Sequence, residues 1–141
     1  MTPEECVVIY GKAWFERDDT KRIEVLRLCC TEDIVFVDPQ LGRLHGLREV
    51  SDMIGHYMKL SGQLDAPHTE SKGEARGRSG GGVSVEVTTG IETLHRFFRY
   101  SFVWTVNGVR GTGGTDYGEF AEDGRMKLIT VWPGSADFPV V

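Results

Sequence analysis

The sequence predicts an α+β domain in which amino-terminal helices cover one sheet of mostly antiparallel strands. Three observations predict it. Between residues 3 and 60 apolar residues recur at helical spacing, interrupted by the strand-like run Ile34-Val35-Phe36-Val37. From Val83 onward the chain turns to strand signal, with Val83-Ser84-Val85-Glu86-Val87 alternating and His95 to Val106 rich in aromatic and β-branched residues. Asn107-Gly108 and Asp123-Gly124 then stand between strand-like runs as short hairpin turns. Such a sheet has an apolar face that needs a covering layer, and the helices supply it.

Thr2-Pro3-Glu4-Glu5 combines an N-cap threonine, a proline at the first helical position and a glutamate three residues after the cap, so a helix starts near residue 3. Its stripe Cys6, Ile9, Tyr10, Ala13, with Trp14 beside it, faces the core, and polar Glu16-Arg17-Asp18-Asp19 ends it. Asp19 or Thr20 is expected to cap a second helix, with Ile23, Leu26 and Cys30 on one side and Val25, Leu28 and Cys29 widening the apolar face. The following strand stops at Asp38-Pro39. Gln40 to Gly46 reads as a loop or short hairpin, and Leu47 to Leu60 returns to helical period with Val50, Met53, Ile54 and Tyr57 buried. From Gln63 to Gly82, glycine and charge dominate, and a flexible connection carrying some strand is expected.

At 141 residues and 40% hydrophobic the chain fits one domain with a continuous core. Its 16 basic against 21 acidic residues give a net charge of -5, without a basic cluster, so nucleic acid is not an expected partner. No apolar run reaches the roughly 18 residues of a membrane span, and no basic-then-apolar leader is present, so a cytoplasmic address away from membranes is expected. The three cysteines, with Cys29 and Cys30 adjacent on a helix, suit neither a disulfide framework nor a zinc site and read as buried thiols. No histidine and carboxylate spacing fits a metal. Gly111, Gly113 and Gly114 are flanked by strand with Asp116 in place of the last glycine of a dinucleotide fingerprint, so no cofactor is expected.

Asp38 and Asp116 carry the chemistry that can be read from the chain. Asp38, at a strand end, is either a general base beside a carbonyl substrate or a turn-forming aspartate before proline. Asp116 stands inside a strand. If Asn107-Gly108 is a strict two-residue turn, Asp116 pairs with Arg99 and leaves the face of Phe98, Tyr100, Phe102 and Trp104; a bulge at the intervening glycines returns it to that face, which is the arrangement expected. There it is either a carboxylic acid kept protonated by apolar surroundings or a satisfied buried aspartate fixing the hairpin. Tyr10 is a phenol donor or a core aromatic. The aromatic set Trp14, Phe36, Tyr100, Phe102 and Trp104 suits a flat apolar ligand or a plain core, with His45 expected at the rim of the cavity and His95 within a strand.

The order helix, helix, strand ending in Asp38-Pro39, helix, then a meander carrying Gly114-Thr115-Asp116, Asp123-Gly124-Arg125 and Trp132-Pro133-Gly134 resembles the nuclear transport factor two-like superfamily, and within it the SnoaL-like polyketide cyclase group. The resemblance implies a cone-shaped half-barrel whose curved sheet wraps the first helix around a pocket, and a homodimer. Comparison with ketosteroid isomerase, a member of the superfamily, implies that Asp38 is the general base, that Asp116 is the oxyanion-hole acid, and that Tyr10 or Trp14 takes the pocket position on the first helix. The activity so implied is cofactor-free proton transfer, isomerisation or aldol-type cyclisation, on a small apolar or aromatic carbonyl compound. Two other classes are open: a non-catalytic binding or dimerisation module, and a hydratase, dehydratase or epoxide hydrolase. The last needs an Asp-Arg-Asp relay or paired histidines.

Overall fold

Thr2 opens α1 (Pro3–Ala13) through the expected capping box: Glu5 N donates to Thr2 Oγ1 at 3.1 Å, and Thr2 N donates to Glu5 Oε2 at 2.7 Å. The structure, a computed structural model, describes residues 1–62, 76–78 and 83–134. α2 (Asp19–Cys29) is capped by Asp18, whose Oδ1 accepts Lys21 N at 2.9 Å. The cap thus falls just before the expected Asp19 or Thr20, because Asp18 keeps an extended backbone that lets its carboxylate reach the first free amide. The buried stripe of α2 is Arg22, Leu26 and Cys29, and Leu28, expected on the apolar face, is 63% exposed on the other side.

Arg22 holds the helices together. Its Nη1 donates to Asp19 Oδ1 at 2.8 Å and to Ser51 O at 3.1 Å, its Nε to Glu16 O at 2.9 Å, and its Nη2 to Arg17 O at 3.3 Å. Carbonyls of the α1–α2 turn and of α3 (Leu47–Leu60) therefore share one guanidinium that is 1% exposed. This satisfies the charge inside an otherwise apolar layer.

Between the last two helices lie β1 (Cys30–Asp38) and β2 (Gly42–His45), an antiparallel hairpin with Phe36 opposite Leu44 and Val35 opposite His45. Cys30 begins β1 instead of ending a helix, and its Sγ lies 3.8 Å from that of Cys29, both fully buried. β3 (Arg76–Arg78) belongs to the stretch 63–82 expected to be a flexible connection; the remainder of that stretch lies outside the described residues. β4 (Val83–Val87), β5 (Glu92–Leu94), β6 (Phe97–Val106), β7 (Val109–Phe120) and β8 (Met126–Pro133) follow. β5 and β6 pair through Leu94 and Phe97, so His95 is a turn residue at φ 55° and not a strand residue as expected.

The sheet runs β2-β1-β8-β7-β6-β4-β3, antiparallel except where β1 meets β8, with β5 added beside β6. It is curved and unclosed, and its concave face packs on the helices through Tyr10, Leu26, Ile34, Phe36, Ile54, Phe98, Phe120 and Ile129. Curvature requires close approach at Gly118, where a Cβ would collide with the carbonyl oxygen of Leu128 and the ring of Phe98. Asn107 and Gly108 both take positive φ, 51° and 79°, as a tight hairpin turn of the primed type demands.

Candidate functional site

The register of β6 and β7 decides what β7 presents to the helices. Val106 faces Val109 and Thr105 faces Arg110, but Val103 faces Gly113, so Gly111 and Thr112 together stand opposite Trp104. This bulge shifts Asp116 from Arg99 to Tyr100. Asp116 therefore shares the concave face with Tyr100, Phe102 and Trp104, and all four line one cavity of about 490 Å³.

α1 contributes Tyr10 and Trp14 to that cavity, β1 contributes Phe36 and Asp38, and β4 adds Val83, Val85 and Val87. Tyr10 and Trp14 both line it, their rings edge to face at 6.4 Å. His45 does not. Because Phe36 points inward, its partner Leu44 shares that face, and the next residue along the short β2 turns outward into solvent.

Asp38 is almost fully buried, and three donors converge on its Oδ2: Gln40 N at 2.9 Å, Leu41 N at 2.8 Å and the Tyr57 hydroxyl at 2.7 Å. The two amides close a turn around the strand end, as an aspartate before proline often does. Oδ1 takes none of these bonds. Tyr57 on α3 was expected only as core. Its ring stacks on Trp14 at 6.1 Å, it lines the cavity, and burial followed by the bond to Asp38 holds its phenol well above the ordinary range. The available signal was a hydroxyl on the buried side of a helix, which must find a partner.

At the other polar end, Asp116 and Tyr100 are 4% and 2% exposed, and neither Asp116 Oδ1 nor Tyr100 Oη completes a hydrogen bond. Burial raises the Asp116 carboxyl to about 7, with the nearby Tyr100 phenol drawing it slightly back. The phenols of Tyr100 and Tyr10 are held well above their usual range, by burial first and by the Asp116 charge second. Near neutral pH this carboxyl is partly protonated, and it sits beside the Tyr100 phenol, so the two are hydrogen-bond donors held at one part of the cavity wall.

Among the described residues no arginine, lysine or histidine lines the cavity, so neither an Asp-Arg-Asp relay nor a histidine pair is assembled there. Among the same residues no helix is long and apolar enough to cross a membrane.

No family model matches the sequence, and no curated protein is significantly similar to it. Solved structures do match. A candidate isomerase of the SnoaL-like family from Agrobacterium tumefaciens aligns over 96% of this chain and all of its own, at TM-score 0.70 and 20% identity. An nuclear transport factor two-like protein of unknown function from Exiguobacterium aligns over 92% of this chain and 98% of its own, at TM-score 0.57 and 14% identity. The fold is nuclear transport factor two-like. A candidate ketosteroid isomerase from Kribbella flavida aligns over 98% of this chain and 84% of its own, at TM-score 0.56 and 16% identity. Identities so low carry the shape alone, and the reaction must be argued from the cavity itself.

Proposed function

We propose that this chain is a cofactor-independent isomerase or cyclase acting on a small apolar or aromatic carbonyl compound. The observation that carries the reading is that Asp116 and Tyr100, register partners and both buried, line one part of an aromatic cavity while Asp38 presents a carboxyl to the same cavity. In this reading the carbonyl oxygen rests against Asp116 and Tyr100, with Tyr10 alongside. Asp38, its Oδ2 tethered, takes a proton from the adjacent carbon with Oδ1 and returns it elsewhere on the skeleton. Charge developing on the oxygen is met by donors already in place, and a positioned base adds roughly 10²- to 10⁴-fold.

A second reading has its own support. The two amide bonds that close the turn give Asp38 a structural role without chemistry, which suits a module that binds its ligand unchanged. A homodimer, as the fold resemblance implies, is part of either reading.

Exchange of the α-hydrogens of 2-tetralone in deuterated buffer, followed by NMR, tests the enzyme reading. Wild-type protein is expected to accelerate exchange, and Asp38→Asn to slow it at least about 100-fold while still binding the ketone. Binding without any acceleration by the wild type would leave the module reading in its place.

A further inference from the structure

Ligand charge is the property that the cavity constrains most. Among the described residues its lining holds two carboxyls, Asp38 and Asp116, and no cationic side chain. The donors that meet Asp38 are the two amides and the Tyr57 phenol, which orient its charge and do not cancel it. Trp14, Tyr57 and Trp104 line the cavity as well, Tyr57 stacked on Trp14 at 6.1 Å and Trp104 edge to face with it at 5.8 Å, so the rest of this wall is aromatic and carries no cation. Asp116 and Tyr100, each with a buried oxygen that completes no hydrogen bond, add two polar groups to the lining and no cation.

We infer that the cavity selects ligands by charge, with Asp38 as the residue that enforces it: an apolar carbonyl compound that is neutral or carries an amine is admitted, and the same skeleton bearing an ionised acid is rejected. Carboxylates, phosphate esters and coenzyme A thioesters fall outside the substrate range. The inference rests on the proposed carbonyl-binding reading and narrows its substrate class. An anion held about 6 Å from a carboxylate, at the effective dielectric of a protein site, is disfavoured on the order of 100-fold.

Three naphthalenes of one shape test this by calorimetry at about pH 6, where 2-acetylnaphthalene is neutral, 2-naphthoate is an anion and 2-naphthylmethylamine is a cation. The ketone and the amine are expected to bind within about 10-fold of each other, and the naphthoate about 100-fold more weakly. In Asp38→Asn the naphthoate should recover to within about 10-fold of the ketone. Naphthoate binding the wild type as tightly as the ketone overturns the inference, as does failure of all three to bind. If Asp38→Asn does not fold, the wild-type ranking still decides. A protein that ranks the three as expected yet exchanges no α-hydrogens sinks the enzyme reading and leaves the charge selection standing.

Discussion

Asp116 is a buried acid that its surroundings do not satisfy, and folding has to accommodate it. In the folded protein the carboxyl keeps its proton up to about pH 7, while in the unfolded chain an aspartate releases it near 4. Between those limits the native state binds the extra proton, so stability falls as pH rises from about 4 to about 7, by at most about 1.4 kcal/mol per unit, and stays at the lower level above it. Asp116→Asn removes that dependence. Melting temperatures measured across this range should fall for the wild type and stay nearly level for the variant, with the greatest gap above pH 7. A variant less stable than the wild type at every pH would mean that the aspartate makes structural bonds after all.

The glycines of β7 set how closely this strand lies under its neighbours. Gly118→Ala places a Cβ against the Leu128 carbonyl and the Phe98 ring, groups held by the sheet and by the core, and should cost about 2–3 kcal/mol in urea unfolding. Much at the level of elements was legible in the sequence. The capping box, both bounds of α3, the Asn107-Gly108 turn and the need for a bulge before Asp116 all follow from local rules, because local backbone preference and tertiary packing agree there. What escaped depends on relations between distant segments. Tyr57 meets Asp38 across 19 residues, and no spacing rule ties a helix hydroxyl to a strand end. His45 was expected as a loop residue at the cavity rim, yet it stands in a strand of four residues, where one step from inward Leu44 reverses the face. The burial of Arg22 on α2 has no signal in the sequence, since an arginine is seldom fully buried unless its donors are matched, and the matching carbonyls lie on other elements.

Across the whole molecule, that arginine joins the helical layer which closes the cavity from one side. Its partner Asp19 is 81% exposed, so the ion pair contributes little, and the bonds to the carbonyls of Glu16, Arg17 and Ser51 matter more. Arg22→Met keeps the volume and strands those carbonyls, and should lower unfolding stability by about 2–4 kcal/mol, read from the urea midpoint. Asp19→Ala, by contrast, should leave the midpoint almost unchanged.

The unmatched pair opposite Trp104 works as a slack link in the hairpin. On the turn side, register is dictated by Asn107-Gly108; beyond Gly113 it is dictated by β8 and by the glycines lying under Phe98 and Phe102. Loss of Gly111 would close the ladder without a bulge and still leave Asp116 opposite Tyr100. The tip of the hairpin can therefore lose a residue and reshape the rim near Trp104 and Val106, while the carboxyl behind it keeps its place opposite Tyr100.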